Sequence, residues 1–207
     1  MQFEDISDSE PGCSSMEEEN VLVDSMPEDD PNGNVNVQMG AAVPRWGPQH
    51  AGARELAGMY SREKRLQERF SIGASSTLFT FVIFRLISTW SSDNWKSVPI
   101  AAFLGILTAD FASGLVHWGA DTFGSAETFI GRNFIRPFRE HHVDPTAITR
   151  HDFIECNGDN FLLCIPNLAH ILYQHFTYTR EEIHEWAFIH WYLLLLGVYV
   201  AMTNQVC

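Results

Sequence analysis

The sequence predicts an all-α protein, a polytopic helical bundle in a membrane, and three observations carry that expectation. Residues 71–90, 98–116 and 186–203 are apolar runs approaching the roughly 20 residues that a helix needs to cross a bilayer core. Basic residues precede the first run, and Trp90 and Trp95 bracket the short link after it, where interfacial aromatics belong. Four histidines lie between positions 117 and 151, which predicts a histidine-rich metal-binding cap on the cytosolic rim of the bundle. Backbone in hydrocarbon must satisfy its own hydrogen bonds, so runs of this length read as helices.

The chain opens on a tail. Residues 1–44 hold eleven of the 26 acidic residues and no Lys or Arg, and Pro27, Pro31 and Gly33 break any periodicity. Such a segment buries too little apolar surface to offset its ordering, so a disordered acidic tail over 1–44 is expected before a membrane domain over 45–207. The formal net charge of −13 therefore reports the tail, because the remainder is close to neutral. No extended basic patch is left for a nucleic-acid partner. The N-terminus lacks a basic start followed by an apolar run, so targeting falls to the internal spans rather than to a cleaved signal. Cys13, Cys156, Cys164 and Cys207 show no CxxC spacing and read as free thiols.

Next, Leu56, Met59, Tyr60, Leu66 and Phe70 recur at helical spacing among Arg54, Arg62, Lys64, Arg65 and Arg69. Residues 45–70 are thus expected as an amphipathic helix on the membrane surface. Arg85, near the far end of the first span, can snorkel to the interface. By the positive-inside rule residues 45–70 face the cytosol, and two crossings return the chain to that side near residue 117. Residues 161–175 are apolar but short, with Pro166 and Asn167 interrupting them, as in a short or re-entrant span. A final span covers 186–203.

The chemistry gathers in the centre. Asp110, Gly114, His117 and Asp121 stand at i, i+4, i+7 and i+11, on one face of a continuing helix. A carboxylate such as Asp110 inside an apolar span is expensive unless paired or functional. His117 and Asp121 suit joint metal binding, or a ligand with its supporting carboxylate. His141 and His142 are adjacent, and His151 follows beside Asp152. Imidazoles with carboxylates and no thiolate cluster favour iron or zinc. Arg136 and Arg139, flanking Pro137, have the geometry to clamp a lipid phosphate. His170, His175, His184 and His190 are scattered and read as interfacial or core residues, and His50 as a surface residue.

The run from Gly114-Leu-Val-His117-Trp-Gly-Ala-Asp121, through Arg136-Pro-Phe-Arg139-Glu-His141-His142, to Arg150-His151-Asp-Phe-Ile-Glu155 resembles the plasmanylethanolamine desaturases. These are the Kua-type transmembrane proteins, related to a bacterial carotenoid-regulation protein. Trp46-Gly47, Gln49-His50-Ala-Gly-Ala-Arg54 and Asn157-Gly158-Asp159-Asn160 match the same family. The resemblance implies an endoplasmic-reticulum, multi-pass enzyme that forms the vinyl ether of plasmalogens from an ether phospholipid. It implies a di-iron centre, dioxygen, and cytochrome b5 as electron donor. His117, His141, His142 and His151 would be iron ligands, and Asp121 a catalytic ligand or supporting carboxylate. In the family, Thr-Asn-Gln leads into further histidine motifs, whereas here Thr203-Asn204-Gln205 is followed by Val206-Cys207. Against the resemblance, either the chain is a product truncated at the C-terminus and inactive by itself, the favoured expectation, or unrelated later histidines stand in for the missing ligands. Two other readings use the same residues: a metal-dependent membrane lipid hydroxylase or hydrolase, and a non-catalytic membrane isoform.

Overall fold

The computed structural model describes residues 46–205 except 93, 126, 127 and 129, so the expected acidic tail lies outside the described residues. Every regular element among the described residues is helical, as an all-α membrane bundle requires. Three helices, Arg62–Ser88, Asn94–Phe123 and Ala187–Gln205, are long and apolar enough to cross a membrane.

Helix α1 (Ala51–Gly58) begins at His50, whose Nδ1 accepts from the Gly52 N–H at 3.1 Å. His50 is 2% exposed, which corrects its reading as a surface residue. Burial lowers its pKa and so keeps that nitrogen available as an acceptor. Ahead of it, Gly47 takes φ 103°, a left-handed conformation that favours glycine, and donates its N–H to Val143 O at 2.7 Å. Ala53 and Leu56 pack on Val143, so α1 lies against the helix that carries the paired histidines.

The surface helix expected over 45–70 divides in two. Ser61 caps a new helix by accepting from Lys64 N–H at 3.1 Å, and α2 (Arg62–Ser88) then runs unbroken through the first span. The basic turns are thus one end of the span rather than a separate rod. Helix α3 (Asn94–Phe123) follows, and a wide turn over Gly131–Ile135 leads into α4 (Arg136–Val143).

Helix α5 (Phe153–Thr177) starts where Asp152 accepts from the N–H groups of Ile154 and Glu155, at 3.1 and 3.0 Å. It passes through Pro166 without a break, which corrects the expected interruption at Pro166 and Asn167. Packing overrides the lost hydrogen bond: Phe161, Leu168 and Ile171 are buried in one core with Val82, Leu86 and Leu194. Along α2, Arg65 pairs with Asp152, Ser75 Oγ donates to Phe161 O, and Arg85 donates to His175 O. The two helices therefore lie side by side in the same direction, and α5 traverses the same thickness as α2. Gly158 permits this closeness, since a Cβ there would stand 2.5 Å from Glu68 Cβ. A short α6 (Arg180–Glu185), opened by a Thr179/Glu182 capping box, leads to α7 (Ala187–Met202). Asn204 then donates to Cys156 O, which returns the end of α7 to the start of α5.

Candidate metal centre

Three histidines from two helices meet at the end of α3. His117 and Asp121 are one turn apart, and α4 brings His141 and His142 against them. One ligand-capable nitrogen from each of His117, His141 and His142 lies within 4.8 Å of the other two. Ring centroids are separated by 5.1 Å for His117–His141, 6.3 Å for His117–His142 and 4.4 Å for His141–His142.

Asp121 sits between two of these rings. Its Oδ2 is 3.2 Å from His117 Nε2, and its Oδ1 is 3.0 Å from His142 Nε2. The latter two atoms are shielded from solvent, yet they lack hydrogen-bond alignment. Two facing polar atoms with no proton well placed between them are what a cation would relieve. His141 has its pKa lowered by burial, and next by His142 and His117, which keeps a lone pair free for a metal. The donor set of nitrogens and one carboxylate, with no thiolate, fits iron.

His151 is not one of the three clustered rings. Its Nε2 is 3.7 Å from Glu140 Oε1 and 3.7 Å from Glu155 Oε1, beyond hydrogen-bond reach but close enough for charge pairing. Glu140 first, and Glu155 with it, raises the His151 pKa. The two arginines expected at a phosphate are committed to the protein itself. Arg136 is 2% exposed and reaches Glu140 at 3.0 Å and Glu155 at 3.1 Å, with its guanidinium over the Tyr60 ring. Arg139 donates to Gly124 O at 2.9 Å and Asp121 O at 3.4 Å, closing the end of α3 and steadying the backbone of Asp121. Asp110 and Gly114, expected on the same helix face, are exposed.

Sequence reasoning passed over Glu140, Glu155 and Tyr60. Tyr60 donates to Glu68, and burial, then Glu68, pushes its pKa up to about 12. The available signal was the i,i+4 spacing of Arg136 with Glu140 and of His151 with Glu155.

Helical spans with a histidine–carboxylate cluster at one end of the bundle define a membrane-protein class with a candidate metal centre. Residues 106–207, about half of the chain, match the lipid desaturase domain. It is 46% identical over 169 residues to mouse plasmanylethanolamine desaturase 1, covering 78% of this chain and 60% of the mouse protein. Against plasmanylethanolamine desaturase of Myxococcus xanthus the identity is 47% over 115 residues, covering 55% of this chain and 41% of the relative. Chloroplastic fatty acid desaturase 4 of Arabidopsis thaliana is 32% identical over 78 residues, or 38% of this chain and 24% of the relative. The chain thus spans 60% or less of the length of these relatives. No solved structure matches it.

Proposed function

We propose that this chain is a plasmanylethanolamine desaturase, which removes two hydrogens from the carbon–carbon bond beside the ether oxygen of a plasmanyl phospholipid. Dioxygen is reduced to two waters in that reaction. The lipid gives up two electrons and two protons; two molecules of a reduced one-electron donor, proposed to be cytochrome b5, supply the other two electrons, and solvent supplies the other two protons. The observation that carries this reading is the meeting of His117, His141 and His142 with Asp121, supported by the similarity to the mouse and bacterial desaturases.

His117, His141 and His142 would hold iron, with Asp121 beside them. His151 would be a further nitrogen and the family's di-iron complement the full centre. Bound iron with dioxygen supplies the oxidising power that acid–base side chains lack. The chain's own residues supply position. Burial keeps His141 neutral, and Arg139 fixes the turn from which Asp121 projects. The guanidinium of Arg136 braces α4 against α5 through Glu155. Exposed Phe111, Leu115 and Trp118 on α3 give a lipid chain an apolar path to the site. The proposed setting is the endoplasmic-reticulum membrane, with the histidines on the cytosolic face.

The test is production of vinyl-ether lipids, measured by mass spectrometry, in cells that lack this desaturase and express the chain. The mouse protein is the positive control. Vinyl ethers that disappear in His117→Ala and His141→Ala support the proposal. A correctly inserted, iron-containing chain that makes none would sink it.

A further inference from the structure

A second set of histidines lies far from the centre just described. Gln174 and His175 are in the last turns of α5, and His190 is in the first turn of α7. Glu155, beside the first centre, is twenty residues from His175 along α5, or about 30 Å of helix. His190 is fully buried and His175 is 3% exposed. Their ring centroids stand 5.0 Å apart, matching the 5.1 Å between His117 and His141.

Three of the four ring nitrogens here have no hydrogen-bond partner: Nδ1 and Nε2 of His175, and Nδ1 of His190. The fourth identifies the tautomer. The Gln174 amide donates to the Tyr178 hydroxyl at 3.3 Å, which turns its Oε1 toward His190 Nε2 at 2.9 Å. An amide oxygen accepts, so His190 carries its proton on Nε2 and a bare lone pair on Nδ1. A neutral His175 likewise bears one lone pair. Leaving such groups unpaired in a packed apolar core is unfavourable, so a ligand that fills the lone pairs is favoured.

The surroundings select the ligand. Arg85 donates to His175 O at 2.7 Å, so a cation is already close and a second full double charge is disfavoured. Zinc and iron(II) want four or more ligands, more than two imidazoles supply. Among the described residues the His117, His141, His142 group is the only one of three or more His, Cys, Asp or Glu side chains spaced to share an ion. A monovalent ion content with two neutral nitrogens suits this pair. We propose that His175 and His190 form a second, two-nitrogen metal site in the interior of the bundle, which takes copper(I).

The test uses the full chain in nanodiscs under reducing conditions, titrated with copper(I) against a chromogenic copper(I) chelator, and with silver(I) as a redox-inert stand-in. One copper(I) per chain is expected to remain in a His141→Ala/His142→Ala variant. His175→Leu removes an unpaired ring without orphaning a partner, so it should fold at least as well while weakening copper(I) uptake at least 100-fold. His190→Ala should weaken it similarly. Uptake unchanged by either substitution, or zinc(II) held more tightly than copper(I), would overturn the proposal. No uptake above the His175→Leu baseline would overturn it too, leaving ordered water as the partner of these nitrogens.

Discussion

Asp121 meets two demands at once, since its two oxygens approach two different histidines. Replacing it with alanine removes a metal-side carboxylate and frees both rings. The Asp121→Ala protein should lose iron affinity by about 10-fold or more, with its folding intact. Metal analysis of the purified protein checks this, and full iron content would remove Asp121 from the site. Arg136 is a different kind of residue, because it is itself buried and balances the buried Glu140 and the half-buried Glu155. Arg136→Met strands Glu140 and Glu155, and should cost about 3–5 kcal/mol of stability. Arg136→Lys keeps the charge without the fork and should recover only part of it. Thermal unfolding in detergent reads both, and a neutral Arg136→Met would show that this network contributes little.

At the scale of elements, the pairing of α2 with α5 is the contact that can be probed most directly. Gly158→Ala sets a methyl 2.5 Å from Glu68 Cβ, so the helices must separate. A loss of about 1–3 kcal/mol is expected, visible as a lower unfolding temperature. The same seam predicts a pH dependence. Arg65, the largest influence on Asp152, holds its carboxyl well below the usual range. A depressed pKa stabilises the folded form above the unfolded value near 4, and that stabilisation fades as pH falls through the folded value. Asp152→Asn should therefore lower the unfolding temperature between pH 8 and 5, with the gap from the parent closing at lower pH. A gap that persisted unchanged at pH 2 would count against the ion pair.

Some of these elements were legible in the sequence and others were not. Apolar runs of bilayer length mark α2, α3 and α7 because composition alone decides burial in lipid. The i,i+4 pair His117 and Asp121, and the adjacent His141 and His142, are local patterns that helices must realise. Helix α5 was obscured because its polar residues, Asn157, Gln174 and His175, are buried against other helices rather than in lipid. The start of α2 was misread because amphipathic spacing does not distinguish a surface helix from one end of a span. Spacing marks Glu155 as a neighbour of His151, but nothing local told that Glu140 also faces it, because Glu140 comes from α4.

For the whole molecule, the parallel course of α2 and α5 fixes the count of crossings. With α3 and α7 returning between and after them, four crossings are expected, one more than the three helices that are long and apolar enough to span by themselves. Residues 46–60, 130–152 and 203–205 are then expected on one side, and the 178–186 link on the other. Cysteines introduced singly at position 54 and at position 181 should label from opposite sides of sealed vesicles. Labelling of both from one side would exclude four crossings.

The charged residues at the two ends of α2 also act as a depth gauge. Arg65, tied to Asp152, and Arg85, tied to the end of α5, are twenty residues apart, or about 30 Å, the thickness of the hydrocarbon layer. In the proposed membrane setting these two anchors would fix the depth of the bundle and hold His117, His141 and His142 level with the glycerol end of neighbouring lipids. A lipid would then present its uppermost chain carbons without leaving its leaflet, while its methyl end hangs far out of reach. Turnover of the proposed substrate should accordingly vary little with chain length, and a steep length dependence in nanodisc assays would show that the site measures the tail instead.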